Sequence, residues 1–259
     1  MSERSRATGD LLAVSELHRE FGGVKAVNGA SFGIGAGRIT GLIGPNGAGK
    51  STALAMIAGA LAPSSGSIRF KGTEIAGLPS YKVARLGVTR TFQISSEFAR
   101  LTVLENLLVA APGQRGESLK GALLGKRAWR TQERALLDRA RDLLDRFDMT
   151  AKEDEYAGNL SGGQKRLLEI MRGLMAEPTL LLLDEPMAGV NPSLARRIER
   201  HLLELRDDGL TMLMVEHELG VVERLCDPVV VMAQGRVISE GTMGEIRSKQ
   251  EVLDAYLVG

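Results

Sequence analysis

Gly44-Pro45-Asn46-Gly47-Ala48-Gly49-Lys50-Ser51-Thr52 is the stretch from which the fold can be read. It fits G-x-x-x-x-G-K-[ST], and each residue type in that pattern has a chemical task. Glycines let the backbone curl tightly, so that successive amide N–H groups point inward at phosphate oxygens. Lys50 carries positive charge to β- and γ-phosphates, and the Ser51 hydroxyl is suited to ligate Mg²⁺. The flanks agree: residues 38–43 read as a buried strand, and residues 51–59 as a helix whose N-terminus favours an anion. Strand, loop and helix in that order predict a site for a nucleoside triphosphate.

Outward from this loop, residues 11–14 and 30–34 read as short strands, with Gly22-Gly23 and Gly35-Ala36-Gly37 as turn signals. Residues 66–70 read as a further strand, and Val88-Thr89-Arg90-Thr91-Phe92 then leads to Gln93. From about residue 97 to 158 the apolar residues recur at helical intervals, first Leu101, Val103, Leu104, Leu107 and Leu108, then Leu136, Leu137, Leu143, Leu144 and Phe147. An inserted helical subdomain follows from this, with a glycine- and base-rich loop over 112–126. Helices at 163–176, 192–208 and 218–225 then alternate with strands at 179–183, 210–215 and 228–232. Such alternation implies an α/β fold with a mostly parallel sheet and right-handed crossovers.

A chain of 259 residues suits one large domain with a proper core. Its 25% charged and 44% hydrophobic residues are ordinary for a soluble globular protein. A formal net charge of +1 gives no reason to expect nucleic acid as a partner. The lone Cys226 allows no intrachain disulfide, which suits a reducing cytosol. Residues 1–10 lack the apolar core of a secretory signal. No apolar run approaches the roughly 20 residues that cross a bilayer, so any action at a membrane is expected to go through a partner.

Two further strings carry chemistry. Leu180-Leu181-Leu182-Leu183-Asp184-Glu185-Pro186 is an apolar strand ending in two carboxylates, and ligands of parallel sheets sit beyond the carboxyl ends of strands. Asp184 is suited to hold Mg²⁺, directly or through water, and Glu185 to accept a proton from an attacking water, a task worth roughly 10²–10⁴-fold in rate. In Leu160-Ser161-Gly162-Gly163-Gln164, Ser161 is a good helix cap and the glycines expose N–H groups at a positive dipole end. A second anion-binding helix start means either two nucleotides or one clasped from two sides.

Phosphate loop, Gln93, LSGGQ, LLLLDEP and His217, in that order, resemble the ATP-binding cassette ATPases over nearly the whole chain. The resemblance implies a P-loop NTPase with a RecA-like core at 11–92 and 165–241, including an N-terminal antiparallel β subdomain. It further implies a helical subdomain at 93–164 and a short helical tail at 242–259. ATP and Mg²⁺ are the implied cofactors. Lys50, Ser51, Gln93, Asp184, Glu185 and His217 would face ATP in cis, with Gln93 near Mg²⁺ and the attacking water, and His217 at the γ-phosphate. Ser161 and Gly163, with Gly162 and Gln164 in the same string, would meet the ATP held by a second cassette in a head-to-tail dimer. Phe21, in REFGG, stands at the family's adenine-stacking position, and Val27 would line the same pocket.

FGGVKAVNGASF, GLPSYKVARLGVTRTFQ, FARLTVLENLLVA, EPMAGVNP and the tail EGTMGEIRSKQEVLDAYLVG are similar to the ATP-binding subunit of branched-chain amino acid importers. That branch implies two integral membrane permease subunits, a second cassette that is a paralogue or another copy, and a periplasmic or extracellular amino-acid-binding protein. It also implies a cytoplasmic location, peripheral on the inner face of the membrane. Importers of urea, amides or aromatic acids, lipopolysaccharide exporters and non-transport cassettes are the alternatives. Asn191 departs from the commoner Asp and drops a charge expected across the dimer. Lys120, Lys126, Arg127, Arg130 and Arg134, with Trp129, read as a solvated basic stretch, and less readily as a contact for anionic headgroups.

Overall fold

The computed structural model describes residues 9–91, 98–112 and 126–257. Strands β1 (Asp10–Phe21) and β2 (Val24–Gly35) form an antiparallel hairpin. Helix α1 (Lys50–Ile57) follows β3 (Ile39–Ile43). Strands β4 (Ser65–Phe70) and β5 (Thr73–Glu74) complete a four-stranded antiparallel sheet in the order β2-β1-β4-β5. Helix α2 (Ser80–Arg85) leads into β6 (Val88–Arg90). Among the described residues, the α-helices that come next are α3 (Val103–Ala110), α4 (Lys126–Arg146) and α5 (Gly162–Met175). Then β7 (Leu180–Asp184), α6 (Pro192–Asp207), β8 (Thr211–Val215), α7 (Leu219–Leu225) and β9 (Val229–Ala233) alternate. Strand β10 (Arg236–Gly241) and helices α8 (Met243–Arg247) and α9 (Gln250–Leu257) end the described chain.

The six-stranded sheet has the order β10-β9-β3-β8-β7-β6, parallel except at β10. Strands β3, β7 and β8 are buried at every position. That explains why they are largely apolar with no alternation, since a parallel sheet covered on both faces needs no polar side. Leu42 pairs with Val215, and Val215 with Asp184, so three strands end at one level. This register delivers the phosphate loop, Asp184-Glu185 and Glu216-His217 to the same edge. Ala53, Leu54, Met56 and Ile57 of α1 share one apolar cluster with Leu12, Phe32 and Ile68 of the antiparallel sheet and Leu182, Leu213 and Val230 of the parallel one.

The chain divides into two compact units: Met1–Arg90, Thr179–Ala188 and Leu202–Gly259 in one, Thr91–Pro178 and Gly189–His201 in the other. All of α5 and the first part of α6 fall in the helical unit, which therefore runs past the expected end at residue 164. There Val103 and Leu107 of α3, Leu144 of α4 and Leu168 and Met171 of α5 are buried. Asn106 is fully buried, and its amide donates to the carbonyls of Phe98, Leu101 and Thr102, fastening residues 98–102 to α3. The basic stretch begins outside the described residues with Lys120, while Lys126 to Arg130 already lie in α4.

Candidate functional site

The phosphate loop is held by the fold as well as by its own sequence. Gly44 has φ +147, and a Cβ there would lie 2.0 Å from the carbonyl oxygen of Met232. Gly49 has φ +98, and a Cβ would lie 2.3 Å from the Ala26 oxygen. Neither position admits a side chain, which is the physical content of the two glycines in the motif. The Ala48 N–H donates to Pro45 O (3.2 Å), and α1 begins at Lys50. Lys50 is buried, and its ammonium donates to the carbonyls of Gly44 (2.8 Å) and Pro45 (2.9 Å). Burial lowers its pKa, opposed by the charges of Glu185 and Asp184. Asn46 and Gly47 are exposed at the rim, whereas Ser51 and Thr52 are half-buried in the first turn of α1.

Asp184 ends β7 with its side chain wholly buried. Arg90, on β6, donates from Nη2 to Asp184 Oδ2 at 2.7 Å. Asp184 Oδ1 is buried with no protein partner. A buried carboxylate oxygen left without a donor is costly, and its neighbour Lys50 sits at the start of the anion-binding helix. An orphaned hard oxygen close enough to Lys50 to act on its charge, with the half-buried Ser51 hydroxyl next in the chain after Lys50, fits a divalent cation such as Mg²⁺. Glu185, next along the chain, has φ +49, and its Oε1 lies 2.9 Å from Nε2 of His217. The strand-end register thus gathers Lys50, Asp184, Glu185 and His217 in one unit.

Phe21 is 46% exposed at the tip of the β1–β2 hairpin, beside the Gly22-Gly23 turn, with the Arg19 guanidinium 4.6 Å from its ring centre. Val27 is different: it is buried, and a methyl packs beneath Gly49. Gln93 lies outside the described residues.

In the helical unit, Ser161 caps α5 in a reciprocal box: its hydroxyl accepts from the Gln164 N–H, and Gln164 Oε1 accepts from the Ser161 N–H. Gln164 thus spends its side-chain oxygen on the cap. Gly162 is open, but a Cβ on Gly163 would meet Leu194 Cδ2 at 2.0 Å, so the glycine also lets α6 approach α5. Asn191 Oδ1 accepts from the Leu194 N–H and the Ser193 hydroxyl, capping α6.

Sequence reasoning passed over three residues. Arg90 is a charge in a short strand, legible only once its partner 94 positions away is known. Glu216 stood inside MLMVEHE without a role, although it follows an apolar strand as Glu185 does. Tyr256, near the end of α9, receives a hydrogen bond from the Gly44 backbone, and nothing in its local sequence signals this.

Residues 27–188 match the model of the family described as ABC transporter. The chain is 38% identical over 247 residues to the probable branched-chain amino acid transport ATP-binding protein LivG of Archaeoglobus fulgidus, covering 95% of each. It is 39% identical to the high-affinity branched-chain amino acid transport ATP-binding protein BraF of Pseudomonas aeruginosa, over 95% of this chain and 97% of that one. Among solved structures, the ADP conformation of MJ1267, an ATP-binding cassette of an ABC transporter, aligns with a TM-score of 0.84 at 36% identity. That alignment covers 97% of this chain and 100% of the other. With its loop, strand-end carboxylates and capped second helix matched along almost all of its length, the chain belongs to the ABC transporter family, as one of its nucleotide-binding ATPase cassettes.

Proposed function

We propose that this cassette hydrolyses Mg-ATP to drive uptake of branched-chain amino acids through two membrane permease subunits, working as a head-to-tail dimer with a second cassette at the inner face of the membrane. An extracytoplasmic binding protein delivers the amino acid. The cargo and the membrane partners are supported by the names of its relatives, which are transport ATP-binding proteins; no helix among the described residues is long and apolar enough to cross a bilayer.

The observation that carries the chemistry is the Glu185–His217 pair beside Lys50 and the orphaned Asp184 oxygen. In this reading the loop amides of residues 44–49 and the Lys50 ammonium hold the β- and γ-phosphates, exchanging the Gly44 and Pro45 carbonyls for phosphate oxygens. Asp184 and Ser51 would hold Mg²⁺, which would supply charge neutralisation at the phosphates. Glu185 takes the proton of the attacking water; His217 orients that carboxylate and reaches the γ-phosphate. Gln93 completes the water site. Phe21 stacks on adenine, with Val27 supporting the loop from beneath. Ser161, Gly162, Gly163 and Gln164 present the N-terminus of α5 to the γ-phosphate bound by the partner cassette.

Glu185→Gln tests the base. ATP binding should persist while hydrolysis falls roughly 10²-fold or more, the scale of a lost general base, and an ATP-loaded dimer should accumulate on size exclusion. Hydrolysis near the wild-type rate would remove Glu185 from the role. For the cargo, proteoliposomes holding the assembled complex should take up leucine in an ATP-dependent manner; uptake of urea or an aromatic acid instead would replace it.

A further inference from the structure

Glu216 is almost fully buried, at 4% exposure, immediately after strand β8. Its two carboxylate oxygens are divided between two segments. Oε1 accepts from the backbone N–H of Met187 at 2.9 Å, and Oε2 from the backbone N–H of His217 at 3.2 Å. Met187 lies two residues beyond Glu185, so one buried carboxylate ties the turn that carries Glu185 to the start of the segment that carries His217.

That turn needs holding. Glu185 has φ +49, a left-handed conformation that a residue with a Cβ adopts only when its surroundings impose it. On one side its N–H donates to Val215 O at 2.9 Å, and within the turn the Ala188 N–H donates back to Glu185 O at 3.1 Å. The Glu216–Met187 bond is the clamp on the far side. The chain therefore fastens Glu185 from both directions to the end of β8, and the same carboxylate sets the backbone from which His217 reaches Glu185 Oε1.

We infer that Glu216 is a positioning residue for ATP hydrolysis: a two-armed acceptor that fixes the Glu185 turn and the His217 backbone relative to each other, and through them the 2.9 Å Glu185–His217 contact. It touches no phosphate and takes no proton. The inference rests on Glu185 and His217 being the reacting pair proposed above. The carboxylate matters to the device, because it presents a strong acceptor on both arms; an amide offers one acceptor and turns an N–H₂ group toward the other N–H. Burial opposes ionisation and pushes the pKa of Glu216 up, with the Glu185 charge adding to it, while the Met187 and His217 N–H bonds pull it back down. Those two bonds are therefore the local compensation for burying the charge, and neither arm is dispensable.

Glu216→Gln is nearly isosteric and tests the inference in the full chain. Turnover should fall about 10-fold to 10²-fold, the scale of a small displacement of a reacting group, with KM and the affinity for a fluorescent mant-ATP measured in EDTA within twofold of wild type. Amide exchange should accelerate at Met187 or His217 by at least tenfold and stay unchanged across Thr211–Val215. Wild-type turnover in Glu216→Gln would overturn the inference. So would a joint loss of turnover, mant-ATP affinity and exchange protection throughout β8, which is how a purely architectural residue behaves. Glu185→Gln run alongside separates the two failures. If that variant hydrolyses ATP normally, the reacting pair is misassigned; if it is inactive while Glu216→Gln is normal, the clamp alone is wrong.

Discussion

Asp184 is a fully buried carboxylate whose counter-charge is Arg90, itself only 19% exposed, at 2.7 Å. Arg90 pairs with Leu182 across the β6–β7 ladder, so its side chain runs along the same face of the sheet to reach Asp184 two residues on. The guanidinium takes Oδ2 and leaves Oδ1 without a protein donor, free for the proposed cation. Removing one partner of a buried ion pair leaves an uncompensated charge and costs about 3–5 kcal/mol. Arg90→Ala should therefore lower the melting temperature in EDTA by roughly 10 °C, taking about 2–4 °C per kcal/mol for a protein of this size. Lys50 is then the protein charge left beside Asp184, so Mg²⁺ added with ATP should raise the melting temperature of the variant more than that of the wild type. Thermal melts with ATP in EDTA and in Mg²⁺ measure both. An equal Mg²⁺ gain in the two proteins would mean that Arg90 and the cation do not share Asp184.

Elements begin where caps allow them to, and Ser161 does two jobs that can be separated. Its hydroxyl oxygen accepts from the Gln164 N–H, as the first half of a capping box on α5. Asp caps as well as Ser, whereas Ala forfeits about 1 kcal/mol. Ser161→Asp should thus keep the thermal stability that Ser161→Ala loses, yet it sets a negative charge where a phosphate is proposed to dock. ATP hydrolysis by the dimer should fall sharply in Ser161→Asp and less in Ser161→Ala; the reverse order would leave Ser161 as a cap alone. This cap was legible in LSGGQ because its partners are three residues apart. So were the buried strands of the parallel sheet, since runs such as ITGLI and LLLL need no alternation. The antiparallel hairpin was read too short for the opposite reason. Along β1 the buried residues are Leu12, Val14 and Leu17, a period-2 pattern thrown out of phase by a register shift between Val14 and Leu17, where Glu16 has φ +45. A bulge of that kind makes one twelve-residue strand read as a short one followed by a loop. Arg90–Asp184 and Tyr256–Gly44 were hidden more thoroughly, because no local pattern encodes a contact between distant segments.

At the scale of the molecule, the unit that carries the phosphate loop also carries a built-in reporter of its own opening. Cys226 is buried after α7, and a Cβ on Gly41, three residues before the loop, would lie 3.2 Å from its sulfur. Burial, aided by the charge of Glu216, pushes the thiol up from 9.0 to about 12. A thiol whose folded pKa is raised stabilises the fold fully below its unfolded value, and loses that contribution as pH rises. The loss here runs from 9.0 through about 12, so alkaline unfolding should set in over that window and be delayed in Cys226→Ala if the alanine is tolerated. At pH 8 almost no thiolate exists in the folded protein, so iodoacetamide can reach Cys226 only through opening of this unit. ATP at a hundred times its dissociation constant stabilises the closed form by about 2.7 kcal/mol, which is roughly a 10²-fold lower open population. Alkylation in the presence of ATP should slow by that factor, followed by intact mass against time. A rate equal to that of a free cysteine peptide, or one that saturating ATP leaves unchanged, would mean that the loop and the core behind Cys226 open independently, and that nucleotide binding at Gly44–Thr52 does not stabilise the parallel sheet from which the loop springs.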